Sequence, residues 1–174
     1  MPWSSDEGKA QVRKWVEHLR PRSVLDVGPG AGAYAKLLAG LDVEQMIALE
    51  IFEPYIERFG LRQLYDEVIV GDARRLRYPE VDLVIFGDVL EHMTQREAQL
   101  CWREAESCAR LGAIISIPVI PYPQGECEGN QHEAHLHTWD HEQVLSTFSW
   151  IKEWKIYSEI GVYLGEFPHD ERLR

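Results

Sequence analysis

The sequence is short of cysteine, of long apolar runs and of positive charge, and each shortage excludes something. Its three cysteines are odd in number and form no Cys-x-x-Cys pair, which argues against a disulfide framework or a zinc ribbon. Cys101 and Cys108 fall on one face of a predicted helix and read as reduced, buried, small apolar residues. No apolar run approaches the roughly 20 residues that span a bilayer, and the polar segment 1–14 is unlike a signal peptide. The expectations are a cytoplasmic location and no membrane partner. Lys and Arg number 18 against 29 Asp and Glu, for a net charge of −11. That field repels phosphate backbones and anionic lipid, so no nucleic-acid partner is expected. Repeats, low-complexity segments and interdomain linkers are also missing. A chain of 174 residues is long enough for one self-sufficient core, and a single domain over 1–174, as monomer or homodimer, is expected.

What is present is an alternation of short apolar runs with helical patterns. Ser4-x-x-Glu7 reads as a capping box, followed by Val12, Trp15, Val16 and Leu19 at helical spacing up to Pro21. Apolar runs then occur over 23–27, 46–51, 67–70, 81–86 and 113–117. Continuous runs of this kind predict parallel strands covered on both faces. Thr94-x-x-Glu97 is a second capping box, and Ala98, Cys101, Trp102, Ala105 and Cys108 trace the buried stripe of the helix behind it. Residues 118–138 lose apolar periodicity and predict a long loop with a functional role. A short helix over 140–148 and two strands near 154–156 and 162–167, joined near Gly161, complete the chain; the last two strands suit an edge hairpin.

The strongest local signal is Val24-Leu25-Asp26-Val27-Gly28-Pro29-Gly30-Ala31-Gly32-Ala33, a strand running into a glycine-rich turn and then a helix. Glycines there permit positive φ and let a ligand approach the backbone. Gly28, Gly30 and Ala33 also satisfy the dinucleotide fingerprint, so the loop alone does not separate one nucleoside cofactor from another. Asp26 favours a cationic cofactor, because a carboxylate repels a pyrophosphate and attracts a sulfonium or ammonium group. Glu50 follows about twenty residues past Gly28, the spacing at which an acid accepts ribose hydroxyls. Asp72, followed by Ala73, ends the third strand and Asp88 the fourth. Four acids thus close four successive strands, at the edge where open α/β sheets bind ligands.

These motifs resemble those of the class I S-adenosylmethionine-dependent methyltransferases. The likeness runs from about Val24 through Pro118 and more loosely to Phe167. It rests on Asp26-Val27-Gly28-Pro29-Gly30-Ala31-Gly32, Glu50, Asp72 and Asp88-Val89-Leu90-Glu91-His92. It implies a three-layer Rossmann-like α/β fold with a seven-stranded, mostly parallel sheet and a reversed last strand. It implies S-adenosyl-L-methionine as cofactor and S-adenosyl-L-homocysteine as product. Gly28 and Gly30 would border the methionine moiety, Glu50 the ribose, Asp72 and Ala73 the adenine, and Asp88 the methionine end. Asp26, Pro29, Gly32 and Ile51 complete the expected cofactor set.

In the same family the acceptor pocket is roofed by the N-terminal segment and the loop after the fifth strand. Here that loop holds His132-Glu133-Ala134-His135-Leu136-His137. In-line methyl transfer to a hydroxyl needs a base, and histidine titrates near neutral pH. His135 and His137 are the leading candidates and His92 the third. Imidazoles that only tie down the loop are the plain alternative. The segment also offers metal-ligating atoms, but its spacing matches no standard zinc signature, and no metal ligand is assigned. Trp139 and Tyr122 read as stacking surfaces or as anchors, and Tyr34 as a cover for the cofactor or as packing. The expected activity is methylation of an oxygen or nitrogen of a small molecule or sugar. A non-catalytic S-adenosylmethionine-binding module and an NAD-dependent oxidoreductase are the competing readings.

Overall fold

The apolar runs become the strands of one sheet, because alternate residues of each bury both of its faces. In the first strand, β1 (Ser23–Val27), Leu25 and Val27 face one apolar cluster while Val24 faces another on the opposite side. A computed structural model describes residues 5–168 of the chain. The further strands are β2 (Gln45–Glu50), β3 (Glu67–Val70), β4 (Val81–Gly87), β5 (Ala109–Pro118), β6 (Ile151–Ile156) and β7 (Ile160–Glu166). Their order across the sheet is β3-β2-β1-β4-β5-β7-β6. β1 to β5 are mutually parallel, and β7 runs antiparallel to both β5 and β6. This is the expected seven-stranded, three-layer arrangement.

Helices α1 (Lys9–Leu19) and α2 (Ala33–Leu38) cover one face. Their Val12, Trp15, Val16, Tyr34 and Leu38 pack on Leu83, Ile85 and Ile114. Two short helices, α3 (Pro54–Arg58) and α4 (Leu61–Leu64), link β2 to β3. Helices α5 (Gln95–Cys108) and α6 (His141–Thr147) cover the other face. The expected stripe of α5 is buried in full, and Trp102 lies among Phe86, Phe148 and Phe167. Among the described residues no helix is long and apolar enough to cross a membrane.

The capping box at α5 is present: Thr94 Oγ1 accepts from the Glu97 amide, and Glu97 accepts from the Thr94 amide at 2.9 Å. Thr94→Ala should therefore cost about 1 kcal/mol of stability, read by urea denaturation. The box expected at the chain start differs. Ser4 lies outside the described residues, and α1 opens at Gly8 with no side-chain cap. Glu7 is used elsewhere, accepting from the Glu159 and Ile160 amides at 3.0 and 3.1 Å and so tying the chain start to the β6–β7 turn. Gly161 lies within β7 rather than in that turn.

The segment after β5 is a loop, as expected, but an ordered one. A bridge pairs Cys127 with Asn130, and a 3₁₀ turn spans Gln131–Glu133. The Leu136 and His137 amides donate to the Glu91 carbonyl at 2.8 and 3.2 Å. That carbonyl belongs to a 3₁₀ turn, Leu90–His92, directly after β4. The loop is thereby drawn back across the carboxyl ends of the strands.

Candidate active site

A cavity opens where β1, β2, β3 and β4 end, and the glycine loop forms its floor. Gly28, Gly30 and Gly32 all have positive φ, of 69°, 51° and 72°, a region that disfavours side chains. A Cβ at Gly28 would lie 2.6 Å from the Val89 side chain, so no larger residue fits without moving the fourth-strand turn. Gly28, Pro29 and Gly30 line the cavity. Gly32 does not; it caps α2, and its Cβ position faces Leu64 at 2.5 Å. Tyr34 lines the cavity while packed over Gly87.

Three of the four strand-end acids reach this cavity. Glu50 is nearly buried; it accepts from the Phe52 amide at 2.7 Å and from the backbone of Gly30 and Ile51. Burial pushes its pKa up to about 7, against the lowering effect of those amides. Asp72 is gripped by Arg74, Nε to Oδ1 at 2.7 Å and Nη2 to Oδ2 at 2.8 Å, which holds its carboxyl below the usual range. Ile51 and Ala73 are cavity neighbours of these two acids. Asp88 adopts a left-handed backbone, φ 52°, uncommon for a residue with a side chain and often found at functional sites. Its carboxylate is held by Ser116 Oγ at 3.0 Å and by the Ser5 amide at 3.1 Å.

Asp26 is the correction. Its side chain is fully buried and accepts from the Tyr65 hydroxyl at 2.5 Å, beneath the glycine loop rather than in the cavity. The cause is strand alternation: Leu25 and Val27 share one face, so Asp26 takes the other, where α4 and Tyr65 pack. Burial raises its pKa to about 7. Its charge would therefore reach a ligand only through the loop.

The histidine loop divides its residues. Asn130, His132 and Glu133 close over the first cavity, opposite Tyr55 and Arg74. None of these five was singled out as a cofactor contact from sequence; only the density of polar residues in the loop hinted at the first three. A second, adjoining cavity is lined by Ser5, Asp88, Glu91, His92, Tyr122 and His135 among others, and Asp88 and His92 face both cavities. His92 and His135 meet edge to face with ring centroids 4.8 Å apart. Burial lowers the pKa of both, to about 4 for His92, so both rings are neutral at ordinary pH.

His137 is not brought to either cavity. The loop bends at the Glu91 carbonyl, and the ring falls back against Trp139 at 4.6 Å, its Nε2 buried without a partner. Trp139 is an anchor: it is 1% exposed and packs on Phe148. Tyr122 is 45% exposed and forms part of the second cavity's wall.

The arrangement is a groove floored by the glycine loop and walled by Glu50 and Asp72, joined through Asp88 and His92 to a second chamber lined by His92 and His135. It can hold a donor in one chamber and an acceptor in the other. Comparison with known proteins bears on the fold and the family. The chain is 34% identical over 97 residues to a ribosomal RNA small subunit methyltransferase A from Acidobacterium capsulatum, a stretch that covers 49% of this chain and 34% of that protein. The matched stretch is thus about a third of the length of that curated relative. Among solved structures, magnesium protoporphyrin IX methyltransferase from Synechocystis PCC 6803, with S-adenosylhomocysteine bound, superposes with a TM-score of 0.70 at 15% identity, over 93% of this chain and 83% of that one. An amino pentose methyltransferase from Micromonospora echinaspora does so with a TM-score of 0.64 at 14% identity, over 91% and 90%. Residues 25–117, β1 through the end of the β5 core and more than half of the sequence, match the family described as a methyltransferase domain. The chain belongs to that family, the class I S-adenosylmethionine-dependent methyltransferases.

Proposed function

We propose that this methyltransferase acts on an oxygen or nitrogen of a small molecule or sugar. The observation that carries this reading is the second chamber, enclosed by the N-terminal segment and the histidine loop and joined to the cofactor groove at Asp88 and His92. In the reading, Glu50 holds the ribose, Asp72 and Ala73 the adenine, and Gly28, Pro29 and Gly30 the methionine moiety. An acceptor in the second chamber attacks the methyl carbon in line with the departing sulfur. The C–S electron pair returns to sulfur, giving neutral S-adenosylhomocysteine, and the acceptor proton passes to a neutral imidazole. His135 suits that role better than His137, which faces neither chamber, and it is open enough to pass the proton to solvent. Three solved neighbours are named for small-molecule or sugar acceptors, magnesium protoporphyrin IX, mitomycin and an amino pentose, whereas the curated relative is named for ribosomal RNA. The net charge of −11 favours the small acceptor.

The test is S-adenosylhomocysteine release from S-adenosylmethionine with hydroxylated and aminated small molecules, sugars, and ribosomal RNA fragments as acceptors. A small-molecule acceptor is expected to turn over, with kcat falling roughly 100-fold on His135→Ala and cofactor affinity unchanged. Turnover confined to RNA would overturn the assignment.

A further inference from the structure

We propose that Glu91, His92 and His135 form a binding site for a divalent first-row transition cation on the floor of the acceptor chamber. The proposal rests on the methyltransferase reading of that chamber and names a component for it. One carboxylate oxygen and one ring nitrogen from each histidine lie within 4.8 Å of one another. Bonds of about 2.1 Å would set these atoms roughly 3.4 Å apart in a tetrahedral site, so binding draws them together by up to about 1.4 Å. His135 lies on the loop and His92 ends a short 3₁₀ turn, so both imidazoles can make that adjustment.

Two further features point to a cation rather than to a chance cluster. Glu91 is 2% exposed, and its Oε2 is buried with no hydrogen-bond partner. A buried carboxylate oxygen left unpaired costs free energy until a hydrogen-bond partner or a cation completes it. The imidazoles are arranged as ligating histidines usually are, with the second ring nitrogen held by backbone. His92 Nδ1 faces the Ala134 carbonyl at 3.3 Å, which leaves Nε2 for the cation, and the His135 ring is hydrogen-bonded to the backbone of Tyr122.

Two imidazoles and one carboxylate favour zinc, cobalt, iron or manganese over magnesium, and three protein ligands leave a position open. That position faces the chamber, where an acceptor oxygen or a water would complete the shell. A coordinated hydroxyl loses its proton more readily. With the cation bound, His135 serves as a ligand in place of the base role given to it above, and the acidified acceptor proton leaves to solvent. The site escapes a reading of sequence spacing because Glu91 and His92 come from the turn after β4 and His135 from the far end of the loop.

Untagged protein, freed of metal by chelation, is titrated calorimetrically with Co²⁺ and Zn²⁺, with Mg²⁺ for comparison. One Co²⁺ or Zn²⁺ per chain is expected, bound more tightly than Mg²⁺ and weakened roughly 100-fold or more by His135→Ala and by Glu91→Gln. S-adenosylhomocysteine titrated into the same His135→Ala protein should bind as in the parent, showing that the fold is intact. Absence of stoichiometric Co²⁺ and Zn²⁺ binding by the parent, or equal binding by His135→Ala, overturns the proposal. Cation binding in a parent chain that fails to bind S-adenosylhomocysteine supports this site and counts against the reading of the neighbouring groove.

Discussion

Replacing Glu50 by alanine is expected to weaken S-adenosylhomocysteine binding about 100-fold in isothermal titration, the loss of two hydrogen bonds to a charged acceptor at about 1.5 kcal/mol each. Glu50 ends β2 inside the groove, and its carboxylate also receives the Phe52 amide and the backbone of Gly30. It therefore shapes the glycine loop, besides the ribose contact proposed for it. Glu50→Gln keeps an acceptor for Phe52 and should lose less, roughly 10-fold. With its pKa raised to about 7, the free protein holds a proton on Glu50 below that pH, and binding as the carboxylate must release it. Affinity in the parent should accordingly fall as pH drops from 8 to 6, while Glu50→Gln stays flat. An affinity that Glu50→Ala leaves unchanged would remove Glu50 from the cofactor site.

Asp26→Asn should stabilise the protein at pH 8, by up to about 4 kcal/mol, and hardly at all at pH 4. Burial raises the Asp26 pKa to about 7, against the lowering effect of the Tyr65 hydroxyl. The native state thus retains a proton that the unfolded chain releases near pH 4. Native stability from this group is full below that pH and is lost as pH rises towards 7. Asparagine keeps an oxygen for Tyr65 and carries no charge to bury, so its advantage grows over the same interval. Urea denaturation of both proteins at pH 4, 6 and 8 reads the difference. Greater stabilisation at pH 4, or destabilisation at pH 8, would mean that burial does not raise the Asp26 pKa in the native state.

The contrast between these two acids marks how far the sequence was legible. β1 and β3 fall on the residues that the apolar runs indicate, and β2 and β4 within one residue, because the interior strands, buried on both faces, are mostly apolar and the edge strand β3 is short and β-branched. Glu50, Asp72 and Asp88 were placed at the strand ends, where they line the groove. Asp26 was not, because facing inward or outward depends on parity along the strand and on what packs beneath, here Tyr65. The same blindness hid Arg74, which grips Asp72, and separated His135 from His137. No local pattern indicates that the loop is pinned to the Glu91 carbonyl, or the His135 amide to the Gln124 carbonyl; these long-range contacts set which imidazole reaches the chamber.

A crystal structure with S-adenosylhomocysteine bound bears most directly on the placement of cofactor and acceptor. The ribose is expected on Glu50, the adenine beside Asp72 and Ala73 under Asn130 and His132, and the sulfur at Asp88, directed at the chamber of Glu91, His92 and His135. An adenosine lying outside this groove, or a sulfur turned away from that chamber, would contradict it.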